Sequence, residues 1–92
     1  MTDDAFSPWR PADLLSYLRA FADHVDQHGH ADRDDVAAHL DITDANAERA
    51  ERRIIDLACI TDWPGPGRLG DKKQRILTGA GTRALLADEL PL

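Results

Sequence analysis

The sequence predicts a mainly α-helical domain that carries one small β-hairpin. Three observations lead there. Apolar residues recur at helical spacing along much of the chain, first as Leu14, Leu15, Leu18, Phe21, Ala22 and Val25. One stretch, PGPGRLG (64–70), holds two prolines and three glycines and cannot be helical. The short segments on either side of it, CITDW (59–63) and QRILT (74–78), read as strands that pair across it.

The elements follow in order. Residues 1–10 read as a flexible lead. Pro11 suits the first turn of a helix predicted over 11–27, with Asp13, Arg19, Asp23 and Asp26 between its apolar positions. Gly29 ends it as a C-terminal cap. Asp32 caps a short second helix, 33–40, which buries Val36, Ala37 and Leu40. Asp35 in its first turn favours the helix dipole. DITD (41–44) turns the chain, and Thr43 caps a third helix, 44–58. Ala47, Ala50, Ile54, Leu57 and Ala58 share one face of that helix. Arg49, Arg52 and Asp56 lie opposite, with Arg53 beside them. After the hairpin, Thr78 caps a last helix, 79–90, whose apolar residues are Leu85, Leu86 and Leu90. Nothing repeats and no linker divides the chain, so residues 1–92 form one domain.

Composition narrows the class. A domain of 92 residues has a feasible but thin core. With 42% hydrophobic and 30% charged residues it is built to fold in water. One cysteine, Cys59, excludes an intrachain disulfide and a multi-cysteine metal site, and fits the reducing cytoplasm. The acidic N-terminus lacks the apolar run of a signal peptide, and no apolar run reaches membrane-spanning length. The net charge of -6 is uneven. Residues 1–41 hold nine acids and three bases, whereas residues 42–92 hold eight of each. The Asp-rich surface fits either a high-salt setting or a GC-rich genome.

Two helices joined by a tight turn make a helix-turn-helix, and a hairpin with a basic tip beside it makes a wing. The resemblance then becomes specific. DDVAAHLDITDANAERAERRIIDLACI (34–60) resembles the winged-helix pattern of bacterial and archaeal regulators. There a small-residue helix leads through Ile-Thr into the recognition helix. GDKKQRILTGAGTRALL (70–86) is similar to the wing and closing helix of MarR/PadR-like transcriptional regulators. The shared features are Leu77-Thr78-Gly79-Ala80-Gly81, Leu85-Leu86, and Asp71 followed by the basic pair Lys72-Lys73. The resemblance implies a winged helix-turn-helix: a three-helix core, a two-stranded wing and a C-terminal helix. Two positions depart from the pattern. Glu51 stands where a large apolar residue is usual, and Ala58 where a glycine cap is usual.

The positive charge sits where that reading needs it. Residues 64–75 hold Arg68, Lys72, Lys73 and Arg75 against Asp71, a local +3. Wing cations of this kind meet phosphates. The alternative is an ordinary solvated loop. On the recognition helix 44–58, Glu48 and Asp56 each stand four residues from Arg52, and Asp56 stands three from Arg53. Arg49 has no acid at those spacings, which makes it the best base-reading or phosphate-binding residue, with Asn46 as an adenine reader. The expected DNA-binding set is Thr43, Asn46, Arg49, Arg52, Arg53, Arg68, Lys72, Lys73 and Arg75.

Other residues carry weaker signals. His24 and His28 have the i,i+4 spacing of metal ligands, with His30, Asp26 and Asp32 nearby, but surface histidines are the plainer reading and no metal site is expected. Cys59 follows an apolar face and reads as core. Trp9 and Trp63 fit either core caps or dimer contacts. No catalytic constellation, Walker-type phosphate loop or cofactor motif is present, so a non-enzymatic role is expected. The leading expectation is a small cytoplasmic transcriptional regulator that binds double-stranded DNA as a homodimer through its first and last helices. The alternative is a winged-helix protein-interaction module whose acidic N-terminal half docks on a basic partner.

Overall fold

A computed structural model describes residues 6–63 and 74–92. Four helices and two short strands follow in the order α1 (Pro11–His28), α2 (Arg33–Leu40), α3 (Asp44–Asp56), β1 (Ile60–Asp62), β2 (Arg75–Leu77) and α4 (Gly79–Ala87). The strands pair antiparallel, with Ile60 opposite Leu77, Thr61 opposite Ile76 and Asp62 opposite Arg75. Ala31, just before α2, bridges Arg75 on the other edge of β2. Both backbone hydrogen bonds of that bridge form, at 2.9 and 2.8 Å. The mainly helical class with a small hairpin is as the sequence predicts. The loop expected to tip the hairpin, 64–73, lies outside the described residues.

Caps explain most of the boundaries. Asp32 accepts a hydrogen bond from Asp35 N, Thr43 from Asn46 N and Thr78 from Gly81 N, so three of the four helices start on a side-chain cap. α1 starts instead on Pro11, whose missing N–H costs nothing in a first turn. Three helices end on a left-handed C-cap, Gly29, Asp41 and Asp88, and in α3 the left-handed residue is Ala58, one position after the C-cap Leu57. Asp41 and Asp88 tolerate that region better than most residues.

Ala58 is the unusual one, with φ 60°. Its N–H bonds Ile55 O while Cys59 N–H bonds Ile54 O, the double closure that normally selects glycine. α3 therefore stops at Asp56, two residues before its expected end, and Ala58 is exposed instead of sharing the buried face. α4 likewise stops at Ala87 because Asp88 and Glu89 close back on Leu85 and Ala84.

The core runs through the middle of the chain fold. Leu14, Tyr17, Leu18 and Phe21 of α1 meet Val36 of α2, Ala47, Ala50 and Ile54 of α3, and Ala84 of α4, all almost fully buried. Burying each large apolar side chain is worth about 1.5–3 kcal/mol. Small residues on α3 let it approach α1 closely. Gly81 serves the same end at the other side of the core. A Cβ there would come within 2.2 Å of the Cys59 carbonyl oxygen, so only glycine lets α4 start against β1. α1 spends its large apolar residues inside the chain. Leu86, one of the apolar residues of α4, is 83% exposed.

Candidate nucleic-acid interface

α3 is two-faced. Ala47, Ala50, Glu51 and Ile54 are buried, whereas Ala45, Glu48, Arg49, Arg52, Arg53 and Asp56 face outward. Those outward residues line an open groove of about 480 Å³, and Trp9 forms its remaining wall. The sequence spacing thus puts three of the expected DNA-binding arginines into one surface feature.

The three arginines differ in their local ties. Arg49 donates to Asn46 Oδ1 at 3.0 Å, a link between neutral amide and guanidinium that leaves the full positive charge in place. Arg52 donates to Glu48 Oε1 at 3.2 Å, as the i,i+4 spacing predicts. That pair is 74% and 52% exposed, so it is worth only a few tenths of a kcal/mol and exchanges easily for another anion. Arg53 makes no ion pair with any described residue, although Asp56 stands three positions on. Thr43 has its hydroxyl engaged in capping α3, 3.2 Å from Asn46 N.

Arg75 departs from the expectation for a wing cation. Its side chain is 12% exposed, with Nη1 donating to Asp62 Oδ1 at 2.7 Å and Nε lying 3.4 Å from Glu51 Oε2. The Nε contact has ion-pair distance without hydrogen-bond geometry. The physical reason is position. Arg75 is the first residue of β2, opposite Asp62 across the hairpin and beside the buried carboxylate of α3. Its charge ties the hairpin to α3. Arg68, Lys72 and Lys73 lie outside the described residues.

Glu51 gains its explanation here. The carboxylate that stands where an apolar residue is usual is 8% exposed and sits between Arg75 and Arg33, whose Nη1 is 3.9 Å from Oε1. The Tyr17 ring is buried against the same cluster. Burial pushes the Tyr17 phenol well above its ordinary range, and the Glu51 charge adds to the effect. Sequence spacing could not reveal this group, because Tyr17, Arg33, Glu51 and Arg75 come from four different segments. Burial likewise pushes the Cys59 thiol up, which suits an inert core cysteine.

Trp9 was also missed as a site residue. It is 71% exposed, and its only sequence signal is an aromatic residue next to the start of a helix. Three of the histidines meet through their rings. His24 stacks on His28 with ring centres 6.0 Å apart and meets His39 edge-on at 5.5 Å. Among the described residues no three His, Cys, Asp or Glu side chains are placed to hold a metal ion. Trp63 packs on His30 with ring centres 4.5 Å apart. No helix of the described residues is long and apolar enough to cross a membrane. No protein-family model, curated protein or solved structure matches the chain.

Proposed function

We propose that this chain is a winged helix-turn-helix protein that binds double-stranded DNA in the cytoplasm and regulates transcription. α3 is the recognition helix and the β1–β2 hairpin is the wing. The observation that carries the reading is the outward face of α3, where Arg49, Arg52 and Arg53 share one groove while the opposite face is buried. The element order supports it. α2 and α3 are joined by the three residues 41–43, the hairpin follows α3, and Ala31 adds a third strand position beside Arg75. In such an arrangement the second helix enters the major groove and phosphate contacts from the hairpin fix its register.

The reading includes a homodimer. Leu86 of α4 is exposed, and the exposed Leu92 lines a groove with Ala80, Ala84, Ala87, Leu90 and Pro91, so α4 and the C-terminal segment are the pairing surface. α1 contributes little to it, because its large apolar residues are packed inside the chain. Sedimentation equilibrium should give dimer mass at micromolar concentration. Monomer mass alone would remove this part of the proposal.

A protein-interaction module is the second reading. It draws on the net charge of -6 and on the pairing of Arg75 and Arg52 with acids of the same chain. Gel shifts of random and genomic duplexes at several salt concentrations separate the two. Binding that weakens steeply with salt supports the DNA reading, and no binding at low salt favours the interaction module.

A further inference from the structure

We infer that Trp9 is a nucleic-acid contact, seated at the rim of the α3 groove to donate its indole N–H to a phosphate oxygen. The inference rests on the DNA-binding reading of α3 and adds to it a neutral residue from outside the helix-turn-helix and hairpin. Three observations carry it. Trp9 is the most exposed aromatic of the described residues, at 71%, and it forms the wall of the groove that holds Arg49, Arg52 and Arg53. Ile55, Leu86 and Leu92 are also exposed, but none of them lines this groove.

The segment that presents Trp9 is fixed. Ser7 N donates to Asp13 Oδ2 at 2.8 Å, Arg10 Nε pairs with the same oxygen at 2.5 Å, and Arg10 N closes a turn on Ser7 O at 3.0 Å. Pro8 is buried and Phe6 packs against the core. Residues 6–10, expected from sequence to be part of a flexible lead, anchor the backbone that carries Trp9, which lowers the entropic cost of binding.

The chemistry is complementary. The groove carries three guanidinium groups against the carboxylates of Glu48 and Asp56, so its charge favours an anion. The indole is a donor with no acceptor, which suits a phosphate oxygen. Its flat apolar face covers the sugar beside that phosphate. Arg52 can leave its exposed pair with Glu48 for the same backbone.

The test uses the full chain and a fluorescein-labelled random duplex, read by anisotropy at low salt, with circular dichroism as the check on folding. Trp9→Ala should weaken binding about tenfold, the equivalent of one hydrogen bond to a charged group. Trp9→Phe keeps the ring and loses the donor, and should lose most of that affinity. Because Trp9 is neutral, neither change should alter the slope of log affinity against log salt, whereas Arg52→Ala/Arg53→Ala should flatten it. In a Trp63→Phe background, the emission of Trp9 should be quenched as duplex is added. Duplex binding with Trp9→Ala within twofold of wild type, or with Trp9 emission unchanged, overturns the inference and leaves the DNA reading standing. No duplex binding by the wild-type chain overturns both.

Discussion

Replacing Glu51 by alanine removes the carboxylate that holds α3 to both the hairpin and the start of α2. Glu51 is 8% exposed, with Oε2 3.4 Å from Arg75 Nε and Oε1 3.9 Å from Arg33 Nη1. Deleting one partner of a buried ion pair costs about 3–5 kcal/mol, because the other charge is left without compensation. Arg75 keeps Asp62 at 2.7 Å, and Arg33 is 37% exposed and can turn toward water. Both soften the loss, so the expected cost is near the lower bound, about 3 kcal/mol. For a domain of this size one kcal/mol moves Tm by about 4–8 °C, which puts the expected fall near 15 °C. The assay is urea unfolding followed by far-UV circular dichroism, where the midpoint should fall with an unchanged m value. Glu51→Leu combined with Arg75→Met removes both charges and fills the space with apolar volume. That double variant should recover at least half of the loss. A Glu51→Ala variant within about 0.5 kcal/mol of wild type would refute the reasoning, since a buried charge cannot lose its partner that cheaply.

Three further outcomes are expected. Ala58→Gly relieves a left-handed alanine at φ 60°; the strain is about 1–2 kcal/mol, part of which glycine returns as unfolded-state entropy, so a net gain of about 0.5–1 kcal/mol should appear as a Tm rise of a few degrees. Tyr17, the only tyrosine, has its phenol pushed up by burial and by Glu51, so it favours folding below the ordinary tyrosine pKa of about 10 and loses that contribution as pH rises above it. Tyrosinate absorbance should therefore appear only as the chain unfolds, and Tyr17→Phe should flatten the alkaline fall in stability; tyrosinate forming near pH 10 in a folded chain would contradict this. Lys72→Ala/Lys73→Ala should weaken binding to all duplexes alike and flatten the log–log salt slope by about one to two units, whereas Arg49→Ala should cost about 1–3 kcal/mol on a preferred site and less on random DNA.

Most of the fold was legible because its signals are local. The spacing of Leu14, Leu18 and Phe21, the caps at Asp32, Thr43 and Thr78, and the glycine after His28 each act within a few residues. Such interactions are present in the chain before any tertiary contact forms, so sequence reading captures them. The run of Pro and Gly after Trp63 marked the break between the strands for the same reason, and Ile76 and Leu77 do lie in β2. The cluster of Arg49, Arg52 and Arg53 on one face was equally legible, since helical periodicity alone brings them together.

What failed to show in the sequence was every feature that joins distant segments or overrides a local preference. Spacing predicts helix α3 to run two residues too far because an alanine gives no stop signal; the closure of Ala58 and Cys59 onto Ile55 and Ile54 imposes the left-handed turn. In the sequence Arg75 counts among the wing cations because its nearest acid in the chain is Asp71, whereas its partners in space are Asp62 and Glu51. Composition and periodicity by themselves determined a small helical domain with a hairpin and a basic face on its third helix. Tertiary structure alone decided which charges remain available to a ligand, because an ion pair between remote segments exists only once packing excludes the water that would otherwise solvate both partners.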